Sequence, residues 1–110
     1  MINNRIIEKL RILENLSKTD GGSELLERSL TKIIDYEIGM AKKQATELEA
    51  ELKQFETQYQ MGSEDFYRRF KNGELGDDID FFEWSSFYKM KLSLERRLEV
   101  LEGKITDDGR

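Results

Sequence analysis

Apolar side chains recur at intervals of three and four residues along most of the chain, which is the spacing of amphipathic α-helices. The pattern predicts an all-α protein whose four helices cover residues 1–18, 23–60, 63–72 and 79–105. Glycines interrupt the pattern between the helices, and proline is absent. The 110 residues suffice for one domain and are too few for two independent cores. We therefore expect a single helical domain spanning residues 1–110.

The second and the last helices each carry an apolar seam of the heptad type. Two matched seams joined by one short helix predict an antiparallel hairpin of two long helices, with the amphipathic first helix packed beside it or against a second subunit. The same seams would stabilise a homodimer, which we expect, and the sequence does not decide between the two pairings. The seam residues are Ile34, Ile38, Ala41, Ala45, Leu48, Leu52, Phe55, Leu94, Leu98 and Leu101.

The boundary between the second and third helices contains a glycine followed by a serine. Gly62 is predicted to cap the end of the long helix, because glycine readily adopts the left-handed backbone of a C-terminal cap. Ser63 is predicted to cap the start of the short helix, because serine oxygens accept hydrogen bonds from first-turn amides.

The composition excludes the usual parts of many enzymes. Histidine and cysteine are absent, which removes disulfides, thiolate nucleophiles, histidine-dependent dyads and zinc sites of the Cys/His type. Charged residues make up 37% of the chain, so a large core is not expected. We predict no catalytic residue, no cofactor and no metal ligand, and hence a protein that is not an enzyme.

Five carboxylates near the start of the last helix are the best candidates for a cation site. Their spacing lacks the alternating ligands and the glutamate at the twelfth position of a calcium loop. We interpret them as helix caps and solvated side chains, with a metal site as the alternative left open. The five are Glu74, Asp77, Asp78, Asp80 and Glu83.

The net charge of −5 does not support nucleic-acid binding over the whole surface. Residues 1–45 carry eight basic and seven acidic side chains, whereas residues 46–110 carry ten and sixteen. DNA binding would therefore have to come from the first half of the chain, where Arg5, Lys9 and Arg11 of the first helix could line one face. We favour solvated side chains as the interpretation of these three residues, and DNA binding stays open without support from the charge. No apolar run has the length of a membrane span, so we expect a cytoplasmic protein without a membrane contact.

The aromatic side chains are concentrated in one short segment. About half of them are expected to form a small core where the short helix folds against the hairpin. A two-helix tip would not bury all eight, so the remainder would form an exposed patch of the composition typical of protein-binding hot spots. Adjacent helix positions point about 100° apart, so Phe81 and Phe82 are not expected to share one seam. The predicted partner-binding residues are Phe66, Tyr67, Phe70, Phe81, Phe82, Trp84, Phe87 and Tyr88.

The segment from Tyr59 to Tyr88 contains three runs and two further aromatic residues, namely Tyr59-Gln60-Met61-Gly62-Ser63-Glu64-Asp65-Phe66-Tyr67, Gly73-Glu74-Leu75-Gly76-Asp77-Asp78, Phe81-Phe82-Glu83-Trp84, Phe70 and Tyr88. With the helix after it, this segment resembles a stretch of small antitoxin-like proteins of bacterial and archaeal toxin-antitoxin operons. The resemblance implies a non-catalytic protein that binds and neutralises a toxin encoded by an adjacent gene. No ribbon-helix-helix strand or helix-turn-helix precedes the segment, so the resemblance does not extend to promoter repression.

Two functions follow from these patterns. The first is an antitoxin-like interaction module that neutralises a toxin through an aromatic tip surrounded by acidic residues. The second is a structural or chaperone-like coiled-coil adaptor that self-associates, in which the aromatic residues form internal core. The exposure of Trp84 separates the two, because an exposed indole favours the first and a buried indole favours the second.

Overall fold

A computed structural model describes residues 3–105, and it confirms the prediction of an all-helical chain. Four helices are present in this part of the chain: α1 (Asn4–Leu16), α2 (Gly22–Tyr59), α3 (Ser63–Lys71) and α4 (Ile79–Leu101). The first two residues of the range predicted for the first helix lie outside the described residues.

The chain divides into two compact units, Met1–Glu37 and Ile38–Arg110. The division falls within α2, which is 38 residues long. The first unit contains α1 and the start of α2, and the second contains the rest of α2 with α3 and α4.

The turn between α2 and α3 differs from the sequence prediction at both caps. Gln60, not Gly62, takes the left-handed conformation after α2, with φ 54°, and the Met61 amide donates to the Glu56 carbonyl at 3.2 Å. This is the hydrogen bond of a Schellman cap. Gly62 is the N-cap of α3, and Ser63 is its first helical residue. The serine side chain is therefore free to serve another role, described below.

The core of the second unit lies where the end of α2, α3 and the start of α4 meet. Its buried members are Leu52, Phe55, Phe66, Trp84 and Tyr88. Seven partly buried side chains pack around them, namely Tyr59, Met61, Tyr67, Phe70, Leu75, Phe81 and Phe87. The burial of apolar side chains in such a core is the main contribution to the stability of a small domain.

The predicted seam residues differ in their burial. Ala41, Leu48, Leu52 and Phe55 of α2 are buried. Ile38 and Ala45 of α2 and Leu94, Leu98 and Leu101 of α4 are partly buried, whereas Ile34 is exposed. The alanine at position 41 is among the most buried residues, as expected where a helix is closely covered.

The first unit contrasts with this core, because its large apolar side chains are mostly exposed. None of the residues of α1 is buried, although Ile6, Leu10 and Leu13 share one face of the helix. The exposed large hydrophobic residues of the unit are Ile6, Leu10, Ile12, Leu16, Leu25, Leu30, Ile33, Ile34 and Tyr36. Such a unit has little packing of its own to stabilise it.

Two helical glycines of α2 are expected to respond oppositely to alanine. A Cβ at Gly39 would meet nothing within 4 Å, so Gly39→Ala should raise the free energy of unfolding by about 0.5–1 kcal/mol through helix propensity. A Cβ at Gly22 would lie 1.8 Å from the Leu16 carbonyl oxygen, so Gly22→Ala must shift the α1–α2 turn and should lower the free energy of unfolding. Urea denaturation followed by circular dichroism measures both, and equal effects of the two substitutions would contradict this geometry.

None of the helices between residues 3 and 105 combines the length and the apolar content needed to cross a membrane.

Candidate functional site

Trp84 is the centre of the aromatic cluster. Its indole and the Phe66 ring are both fully buried and stack almost in parallel, with ring centroids 3.8 Å apart and planes 4° apart. Phe55 and Tyr59 of α2 lie near the same indole, at centroid distances of 5.6 and 5.7 Å. Trp84 therefore joins side chains of α2, α3 and α4.

Most of the predicted partner-binding residues belong to this core. Phe66, Trp84 and Tyr88 are buried; Tyr67, Phe70, Phe81 and Phe87 are partly buried; and Phe82 is the exposed member of the eight. The exposed aromatic patch is thus smaller than the sequence predicted. Segments of α2, α3 and α4 enclose the cluster, and edge-to-face and stacked pairs allow more than half of the rings to share one core.

A polar network reaches into the cluster through Ser63. The Trp84 Nε1–H donates to Ser63 Oγ at 2.8 Å, and Ser63 Oγ–H donates to Glu56 Oε2 at 2.7 Å. The Ser63 amide donates to the same carboxylate oxygen at 3.0 Å. Glu56 thus caps the start of α3 from α2, where a negative charge is favourable. The network leaves the buried indole N–H satisfied.

A second polar contact joins α2 to α4 at the edge of the cluster. The Tyr59 hydroxyl donates to Asp80 Oδ2 at 2.6 Å. This hydrogen bond, followed by burial and the negative charges of Asp80 and Asp78, raises the pKa of Tyr59 from 10.0 to about 12. All of these effects favour the neutral hydroxyl over the phenolate.

The raised pKa predicts a loss of stability at high pH. Neutral Tyr59 stabilises the folded state below pH 10, and this contribution is lost as the pH rises from about 10 towards 12. Titration of tyrosine absorbance in the wild type and in Tyr59→Phe should differ by one group that ionises near pH 12. Asp80→Asn should lower the pKa of Tyr59, and an unchanged titration curve in that variant would contradict the assignment.

Tyr88 is buried in the cluster, and its pKa is also shifted. Burial raises the pKa of Tyr88 above its ordinary value, and the negative charges of Glu64 and Glu95 act in the same direction. Two lysines lie over the tyrosine rings at the cluster surface: Lys71 Nζ is 5.4 Å from the Tyr67 centroid and Lys91 Nζ is 5.7 Å from the Tyr88 centroid. These contacts are within the range of cation–π attraction.

Two basic residues of α3, Arg68 and Arg69, are paired with nearby acids. Arg68 forms an ion pair and hydrogen bond with Asp65, and Arg69 lies 3.5 Å from Glu74 and 3.9 Å from Asp65. Asp78 is the N-cap of α4, where its side chain accepts from the Asp80 amide. No group of three carboxylates in residues 3–105 is arranged to hold a metal ion.

Two apolar side chains remain exposed beside these acids. Ile79 is 79% exposed, and Phe82, one helical turn along α4, is 54% exposed while its ring meets the Phe70 ring edge-on at 5.4 Å. Phe81 points into the core, so the adjacent phenylalanines diverge as their spacing predicts. Between residues 66 and 88, Ile79 and Phe82 are the large hydrophobic residues with exposed side chains.

An open groove lies between α2 and α4 on the same unit. Its volume is about 520 Å³. Leu48, Phe87, Met90 and Leu94 give it an apolar lining, and Glu47 and Glu51 place two carboxylates on its α2 side. Gln44 and Ser93 complete the lining, which contains no basic residue.

The polar network of the cluster and the groove between α2 and α4 were not predicted from the sequence. Glu56 precedes Ser63 by seven residues, and no local capping motif has that spacing. A signal for the groove was present, because the heptad places Leu48 on the seam while Glu47 and Glu51 lie four residues apart beside it.

No protein-family model, curated protein or solved structure matches this chain. The antitoxin-like resemblance therefore stays a sequence-based prediction.

Proposed function

We propose that the protein is a non-catalytic helical interaction module that self-associates through the exposed apolar side chains of its first unit. The observation that supports this most is α1, a 13-residue amphipathic helix with no buried residue. Isolated helices of this length are marginal in water, and an apolar stripe stabilises a helix only when it is covered.

The burial of Trp84 supports the same proposal. An internal indole is what the adaptor function predicts, and the Trp84 indole is fully buried and hydrogen-bonded to Ser63. A partner that bound Trp84 or Phe66 directly would have to open the core. The aromatic cluster is better explained as the element that fixes α2, α3 and α4 together.

We infer that the second part of α2 and α4 form the antiparallel hairpin predicted from the seams. Later residues of α2 contact earlier residues of α4: Tyr59 bonds Asp80, and Phe55 stacks near Trp84. Leu48 and Leu94 line one groove farther from the turn. This order supports opposite directions for the two helices.

Light scattering at low and high protein concentration tests the self-association. We expect a molar mass near twice that of one chain at high concentration and a decrease on dilution. A molar mass of one chain at every accessible concentration would overturn the proposal.

The antitoxin-like function is the second candidate, and one observation favours it. Ile79 and Phe82 form an exposed apolar pair next to Asp77 and Asp78, which is the chemistry expected of a plug for a basic site. Co-expression with the product of the adjacent gene tests this function. A neighbouring product that is harmless alone, or that does not co-purify, would exclude it.

A further inference from the structure

The groove between α2 and α4 and the apolar face of α1 have complementary chemistry. The groove offers an apolar floor with carboxylates of Glu47 and Glu51 on one side and no basic residue in its lining. α1 offers an exposed apolar stripe that includes Ile6 and Leu10.

The charges along one edge of α1 are opposite in sign to the charges of the groove. Arg5 and Lys9 are one helical turn apart and lie along the same edge of the apolar stripe, whereas Arg11 points to another side of the helix. Laid in the groove with this edge towards α2, α1 would place two positive charges beside Glu47 and Glu51 and its leucines over Leu48 and Leu94.

We propose that α1 of one copy binds the α2–α4 groove of a second copy, and that the exchange is reciprocal in the dimer. This proposal rests on the proposed self-association and names its contact. The α2 residues of the groove begin at Gln44, and the stretch of α2 from Gly22 to Gln44 is longer than α1, which has 13 residues. An α1 that folded back along α2 of its own chain would therefore be too short to fill the groove.

The distribution of charge also favours a second copy as the occupant. Residues 1–37 carry six basic and seven acidic side chains, whereas residues 38–110 carry twelve and sixteen. Contact between the acidic regions of two copies would be repulsive, whereas contact between the nearly neutral first unit and the groove avoids this repulsion. A helix laid in a groove is also a common mode of recognition.

Charge reversal tests the contact in the full-length protein. Arg5→Glu with Lys9→Glu, and separately Glu47→Lys with Glu51→Lys, should each raise the dimer dissociation constant about tenfold or more, because like charges would then face each other. A single chain that carries all four substitutions should return to within about threefold of the wild-type constant. Arg11→Glu and Glu49→Lys serve as controls that alter charge outside the proposed contact and should leave the constant nearly unchanged.

The outcomes separate this contact from self-association itself. If the wild type dimerises but the Glu47 and Glu51 reversal does not weaken the dimer, self-association stands and the groove is not the contact. If both reversals weaken the dimer and their combination does not restore it, the two surfaces do not meet, and the proposal is overturned. A monomeric wild type would overturn both the proposed self-association and the proposed contact.

Discussion

Trp84→Ala is expected to lower the free energy of unfolding by about 3–5 kcal/mol, the cost of removing a large aromatic side chain from a packed core. The indole is fully buried, stacks on Phe66 and lies near Phe55 and Tyr59, so its loss removes contacts to three helices at once. Since small domains are stable by only about 5–15 kcal/mol, the variant should be partly unfolded at moderate temperature. Urea denaturation followed by circular dichroism measures the change.

Phe82→Ala is the matched control, because it removes an aromatic side chain from the same helix at an exposed position. We expect a loss of about 1 kcal/mol or less, since only the contact with Phe70 is affected. Similar losses for the two variants would contradict the assignment of Trp84 to the core and of Phe82 to the surface.

Ser63→Ala is expected to lower the free energy of unfolding by about 1–3 kcal/mol, although it removes a single oxygen atom. The substitution leaves the Trp84 Nε1–H without its acceptor at a fully buried position and removes one hydrogen bond to Glu56. Ser86→Ala, at an exposed position of α4, should change the stability by no more than about 0.5 kcal/mol.

A double-mutant cycle distinguishes the orphaned indole from other effects of Ser63→Ala. In a Trp84→Phe background no indole N–H is present, so Ser63→Ala should cost less than it does in the wild type. An equal cost in both backgrounds would show that the hydrogen bond to Trp84 contributes nothing measurable.

Local spacing in the sequence was sufficient to predict an all-helical fold. The steps of four and three placed Ala41, Leu48, Leu52 and Phe55 on one stripe, and all four are buried. Ile34 fits the same heptad and is exposed, because burial depends on what covers a position and not on the spacing alone.

The candidate site was harder to predict because its contacts are long-range. Gly62 and Ser63 have suitable cap propensities, but Gln60 takes the left-handed position, and the Glu56 carboxylate from α2 binds the start of α3. Likewise, a small core of the short helix against the hairpin was expected, but not that it would take up seven of the eight predicted aromatic residues, in whole or in part. Neither feature has a signature at a fixed sequence distance.

The central claim is tested by measuring the molar masses of Leu10→Glu and Phe82→Glu at the same high protein concentration. Leu10→Glu changes the apolar face of α1, and Phe82→Glu changes the aromatic tip. The two wild-type side chains are equally accessible, at 53% and 54% exposed, so either substitution should leave the chain folded. If the apolar face of α1 mediates self-association, Leu10→Glu should have the mass of one chain, and Phe82→Glu should have the mass of two. A dimeric Leu10→Glu together with a monomeric Phe82→Glu would contradict this assignment and would place the contact at the aromatic tip.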